Sequence, residues 1–228
     1  MAGAVLYQGK SCLDSGRIVC ILTGFSGSEN RKTGNMVQSW ILRSDMSPLE
    51  ALQTGNDFSV CGNCKHRGMA GKRRSCYVQV HQAPLSVYRA FLQGNYPRID
   101  TVGWDILQGK SLRVGSYGDP AAVPAALWKA AIRESGKHTG YTHQWIDFPE
   151  FKGLLMASCD NVIEYQAAVS LEWKTFRILK NPADIGSNEI LCRNYDTGIS
   201  CEKCGICNGR KNNVAVPVHG IGKKYFQG

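Results

Sequence analysis

No segment of the 228-residue chain approaches the roughly 18 apolar residues of a membrane helix. The opening MAGAVLYQGKSC carries no long apolar run behind a basic start, so a secretory leader is not expected either. Together these absences predict a soluble, intracellular protein with no membrane partner. Acidic residues are scarce, 18 Asp and Glu against 27 Lys and Arg. The resulting charge of +9 and pI near 9.1 favour a polyanionic partner, most simply nucleic acid, without saying anything about sequence specificity. Familiar catalytic frames are missing too: G-x-G-x-x-G, H-E-x-x-H, a Ser-His-Asp order, and H-x-E with P-C-x-x-C. Arg31-Lys32-Thr33-Gly34-Asn35 has the Lys-Thr pair of a phosphate loop but not its G-x4-G-K-[ST] frame, which argues against nucleoside triphosphate binding.

What the chain does have is cysteine, ten in all. Leu191 to Gly220 holds Cys201, Cys204 and Cys207 as C-x2-C-x2-C, with Cys192 before them and His219 after. Two-residue spacers let the backbone wrap one ion or cluster with each thiolate pointing inward. Disulfides or buried thiols would not account for that regularity, and a reducing compartment favours ligands over crosslinks. The spacing predicts one metal centre on these three cysteines, completed by Cys192 or His219. A second group, Cys61, Cys64 and Cys76, leaves either an open coordination position or a site closed by His66. Between Cys64 and Cys76 lie Lys65, Arg67, Lys72, Arg73 and Arg74, a basic lobe expected to meet phosphates.

The remaining chain alternates strand and helix. Arg17 to Thr23, Met36 to Leu42, Leu112 to Tyr117, Thr139 to Trp145, Leu154 to Cys159 and Thr175 to Leu179 read as strands. Ser47 caps a short helix with Pro48 in its first turn, and Pro84 to Gln93, Pro124 to Ser135 and Asn161 to Trp173, begun by Asp160, read as further helices. Such alternation predicts a single α/β domain over 1–228, an incomplete (β/α) barrel or a parallel sheet. Two cysteine-rich metal-binding lobes, 61–76 and 191–220, would be appended to it. Polar residues at the carboxyl ends of parallel strands converge on one face. These are Ser116, Tyr117 and Asp119, then His143 and Gln144, then Ser158, Cys159 and Asp160. Tyr117, Tyr141, Trp145 and Tyr77 are candidates to stack on a flat base. The terminal YFQG resembles part of a protease-site linker and is set aside.

CGNCKHRG with CYVQV, LRVGSYGDPAAVP, GYTHQW, and SCEKCGICNG followed by NVAVPVHG resemble a phage family of the mycobacteriophage gene-eighty-eight type. That resemblance implies a phage metalloprotein working on phage DNA in the cytoplasm of the infected bacterial host. More distantly, the chain is similar to two groups of (β/α) barrel enzymes. Similarity to guanine transglycosylases implies zinc held by Cys201, Cys204, Cys207 and His219, and exchange of guanine for a deazaguanine. Asp160 would be the nucleophile, Asp119 the proton-handling carboxylate, and His143 and Gln144 the groups reading the base edge. Similarity to radical S-adenosylmethionine enzymes implies a [4Fe-4S] cluster on Cys61, Cys64 and Cys76 and an auxiliary cluster on the C-terminal group. The cysteine spacings depart from both groups. Base exchange is the first expectation, radical chemistry on a nucleic acid or nucleobase the second, and a non-catalytic metal-stabilised nucleic-acid binder the third.

Overall fold

The computed structural model describes residues 2–27, 30–68 and 73–226. It is an α/β structure built on a nine-stranded, mostly parallel sheet. Strands β1 (Gly3–Lys10), β2 (Arg17–Thr23) and β3 (Val37–Arg43) form an antiparallel meander. From β3 onward the neighbours run parallel, through β4 (Ser111–Tyr117), β5 (Lys137–Thr142), β6 (Met156–Cys159) and β7 (Thr175–Leu179). The two last strands, β8 (Ile190–Leu191) and β9 (Val214–Pro217), pair in swapped order, so β9 lies between β7 and β8. Seven strands, β3 to β7, then β9 and β8, thus follow one another in parallel array. A barrel would need β1 to pair with β8, and no such pairing occurs among the described residues.

Of the strands that sequence patterning finds, two have unbroken burial. Ile18 to Leu22 of β2 and all four residues of β6 are buried, as expected where both faces of a sheet are covered. Helix Ala125–Glu134 turns Trp128, Ala131 and Ile132 into the core, and Trp128 Nε1 donates to Pro120 O at 2.9 Å. Ser47 accepts from Glu50 N at the start of helix Pro48–Thr54, the cap expected there.

Three expectations need correction. The helix after β6 spans Val162–Ser170 and its cap is Asn161, whose side chain accepts from Glu164 N at 2.9 Å. Asp160 is therefore released from capping. The stretch carrying the C-terminal cysteines is not merely appended, because its β9 is an interior strand with every residue buried. Nor are Tyr225 and Phe226 of the terminal YFQG bystanders, its last two residues lying outside the described ones: Phe226 stacks on His66 with ring centroids 5.6 Å apart, and Tyr225 Oη accepts from Arg73 at 2.9 Å. Among the described residues no helix is long and apolar enough to cross a membrane.

Candidate metal centres and active-site cavity

The two cysteine groups, far apart in sequence, line a single cavity of about 160 Å³ on the inner face of the parallel strands. Cys61, Cys64 and Cys76 enter on the connection that follows β3, the first of those strands. That connection is tied to the carboxyl ends of β4 and β5. Asp119 N donates to Val60 O at 2.7 Å, Gln144 Nε2 donates to Cys61 O at 3.4 Å, and Cys64 Sγ lies 3.7 Å from His143 Nε2. Cys76 is drawn back over the loop by its N–H donating to His66 O at 3.0 Å.

The C-terminal group meets the same cavity from the opposite direction. Cys201 N donates to Lys32 O at 2.9 Å just before β3, Cys192 N donates to Ala215 O at 2.8 Å near the start of β9, and Gly140 N within β5 donates to Cys207 O at 2.9 Å. Cys192, Cys201, Cys204 and Cys207 are electrostatic neighbours of one another. All ten cysteines are free thiols. Burial pushes Cys64 up to about 12, Cys61 well above the ordinary thiol value, and Cys76, Cys201 and Cys207 upward as well. Metal binding here must expel protons from thiols that otherwise stay neutral.

Beside Cys64 sits a polar cluster. Donor atoms of His66, His143 and Asp160 lie within 4.8 Å of one another, a group able to hold a metal ion. No cysteine joins a group of that tightness among the described residues. His66 Nε2 donates to Asp160 Oδ1 at 2.8 Å, and its Nδ1 is 2.8 Å from Ser75 Oγ. The His143 ring stands 3.9 Å from Asp119 through Nδ1 and 3.9 Å from Asp160 through Nε2, with Ser158 Oγ 3.1 Å from Nε2. The two strand-end aspartates do converge, on one histidine. Asp119 is nonetheless fully engaged, accepting from Ala121 N, Thr142 Oγ1 at 2.6 Å and His143 N at 2.7 Å. Burial pushes its carboxyl up, against the pull of His143 and these donors. It positions His143 rather than handling a substrate proton.

Burial opposes ionisation of Asp160 too, but the hydrogen bond from His66 and the charges of His143, His66 and Lys65 outweigh it and hold the carboxyl below its ordinary value. A carboxylate depressed on folding contributes stability above its unfolded pKa of about 3.9 and loses it as pH falls through the lower folded value. Asp160→Asn is accordingly expected to lower the urea midpoint at neutral pH and to lower it much less at about pH 3. An equal loss at both would show that ionised Asp160 does not stabilise the fold.

Other expected site residues are placed differently. Trp145 is 4 % exposed, donates through Nε1 to Ser158 O and meets Trp173 edge-on, so it is core and not a stacking platform. Gln144 accepts from Asn63 N at 3.3 Å as well as donating to Cys61 O, which clamps the cysteine loop and leaves it no base edge to read. Ser116 and Tyr117 do line the cavity, Ser116 Oγ donating to Gln38 Oε1 at 2.6 Å. His219 Nε2 is taken by Lys32 Nζ at 2.6 Å.

Two arginines of the basic lobe turn inward. Arg67 is buried and forks onto Asp57 Oδ1 at 2.8 and 3.1 Å, and Arg74 donates inward to Arg67 O and Val78 O. Lys65 pairs with Glu164, Arg73 leans over Tyr225, and Lys72 lies outside the described residues. Conversely, Arg113 and Phe176 in the cavity wall were not anticipated. An arginine inside the apolar strand SLRVGSY is the signal that marks the first. Phe176 stacks on Tyr141 with centroids 4.4 Å apart.

No protein-family model, curated protein or solved structure matches the chain. The phage and barrel-enzyme resemblances rest on the quoted motifs alone.

Proposed function

We propose that the protein is an iron–sulfur enzyme of the radical S-adenosylmethionine kind, acting on a nucleobase or on a nucleic acid that presents one. The observation that carries this reading is the placement of three cysteines on the connection after the first of seven parallel strands, facing a cavity. Three thiols without a fourth suit a cluster that keeps one coordination position open. Cys61, Cys64 and Cys76 would hold that cluster, and Cys192, Cys201, Cys204 and Cys207 a closed second centre.

With the cluster bound, the chemistry supplied is one-electron reductive cleavage of S-adenosylmethionine. The chain's own residues then have definite tasks. Gln144 and Val60 O fix the cysteine loop to the strand ends. His143, held through its backbone N–H by Asp119, turns Nε2 toward Cys64 and Ser158 and is placed to hold or release a proton at the cavity wall. Trp145, which follows β5, is buried edge-on against Trp173.

Base exchange in DNA is the second reading, supported by the approach of Asp119 and Asp160 to His143. It is weaker because Asp160 is 4 % exposed, engaged by His66, and not among the residues lining the cavity. One experiment separates the two. Anaerobically reconstituted, reduced protein is incubated with S-adenosylmethionine, and in parallel with labelled guanine and DNA. Formation of 5′-deoxyadenosine that disappears in Cys61→Ser supports the radical reading. Guanine exchange that survives in Cys61→Ser and is lost in Asp160→Ala would overturn it.

A further inference from the structure

Two of the cations that line the cavity, Lys32 and Arg113, stand on the side of the C-terminal cysteines with no acid beside them. Arg113 on β4 donates through Nη2 to Tyr77 Oη at 2.7 Å, and Lys32 Nζ reaches His219 Nε2 at 2.6 Å and lies 5.6 Å from the Tyr77 ring centroid. The acids near the cavity are spoken for elsewhere. Asp119 and Asp160 face the histidines at the other cysteine group, and Asp57 is bound to Arg67. Among the described residues neither Lys32 nor Arg113 has a carboxylate within ion-pair distance, whereas Arg177 inside the sheet has Glu189. Charge withdrawn from water and left unpaired is costly. Arg113 faces the hydroxyls of Tyr77 and Tyr141 first, and the thiols of Cys192 and Cys201 line the same cavity wall as both cations, with Cys201 N donating to Lys32 O at 2.9 Å.

We propose that Lys32 and Arg113 are the counter-cations of a tetrathiolate metal centre on Cys192, Cys201, Cys204 and Cys207, and that His219 positions Lys32 instead of ligating. Charge balance carries the argument. Four neutral thiols leave two positive charges uncompensated in the wall. Four thiolates on a divalent ion, or on an oxidised four-iron cluster, leave two negative charges in excess, which Lys32 and Arg113 cancel. Substituting His219 for one thiolate removes one of those negative charges and strands a cation. The hydrogen bonds agree: His219 Nδ1–H donates to Pro217 O at 3.1 Å, which leaves Nε2 as the acceptor that receives the Lys32 ammonium. Cys201 N–H donating to Lys32 O then fixes the lysine backbone to the motif it serves.

The inference rests on the reading that these four cysteines hold a metal centre, and the test separates the two. Full-length protein in a Cys64→Ser background, so that the C-terminal group is the one loaded, is titrated with cobalt(II) against a chromogenic chelator. Lys32→Gln and Arg113→Gln are each expected to weaken cobalt binding by about tenfold or more, since a lost charge near the thiolates acts through a poorly screened medium. Arg113→Lys should restore most of the affinity, and Tyr77→Phe, which removes the arginine's hydrogen bond but not its charge, should leave affinity unchanged. His219→Ala should keep the four-thiolate absorption bands that Cys192→Ala changes. Cobalt uptake with unaltered affinity in both Gln variants would overturn the counter-cation role alone. Four-thiolate bands lost in His219→Ala and kept in Cys192→Ala would overturn the ligand assignment. No cobalt uptake in the Cys64→Ser background would sink the centre and the pair together.

Discussion

Cys64→Ser is expected to lose about half of the iron that the wild-type protein takes up on anaerobic reconstitution with iron and sulfide, and to keep the rest. The expectation follows from the two cysteine groups approaching the cavity from opposite sides and relying on different backbone anchors. Cys64 belongs to the loop held by Asp119, Gln144 and His66. Cys192, Cys201 and Cys207 are held by Ala215, Lys32 and Gly140. Removing a thiolate from the three-cysteine group leaves two protein ligands, too few to retain a cluster in a pocket whose other neighbour, His143, is already engaged by Ser158 at 3.1 Å. The C-terminal group, untouched, should still bleach and recolour with dithionite and air. Cleavage of S-adenosylmethionine should fall below detection in the same variant. Total loss of iron would mean that the groups form one centre, and full retention would mean that Cys64 is not a ligand. Zinc in place of iron in both centres of protein purified without oxygen would return the base-exchange reading to first place.

The sheet was legible because a strand covered on both faces is apolar along its length, as RIVCILT is from Ile18 to Leu22, while TFRIL shows the alternation of a strand with one face more exposed. The interior strand VAVP was less so: four residues ending in proline, just beyond a cysteine motif, read as the tail of a loop. Asp160 and Asn161 are adjacent residues of equal capping quality. Sequence alone assigns the cap to either, and the coordinates give it to Asn161, which is what frees the aspartate for His66. The basic insert misleads for a related reason. A run of arginines looks the same whether it faces phosphate or folds back onto a buried acid, and Asp57, the acid that recruits Arg67, carries no motif of its own. Cysteine spacing reveals each group as a ligand set, but nothing in the spacing says that two sets separated by most of the chain share one cavity. That relation comes from the order of the parallel strands, which brings the β3 connection and the β9 approach to a common wall.

Arg67→Ala should be strongly damaging, destabilising the protein by about 3–5 kcal/mol and lowering the melting temperature by about 10 °C for a domain of this size. Arg67 is 7 % exposed and Asp57 1 % exposed, and burial pushes the Asp57 carboxyl up while Arg67 pulls it down. Truncating the arginine leaves a buried carboxylate whose Oδ2 already has no hydrogen-bond partner, so the loss is that of an uncompensated charge and exceeds the net worth of the pair. The guanidinium also donates to Gly55 O at 2.7 Å and lies 5.4 Å from the Phe58 ring centroid, joining the helix that ends at Thr54 to the turn carrying Cys61. Its own carbonyl receives Arg74, so Arg67 joins His66, which accepts from Cys76 N, in tying Cys64 to Cys76. Iron in the three-cysteine group should therefore become removable by a chelator in Arg67→Ala at a temperature where the fold persists, while the C-terminal centre stays loaded. Replacing both partners, as Asp57→Asn with Arg67→Met, should recover much of the stability, because no charge is then left buried. Thermal unfolding of the three proteins decides the matter: a double variant no more stable than Arg67→Ala would show that the arginine acts through packing and its contact to Gly55, and not through its charge.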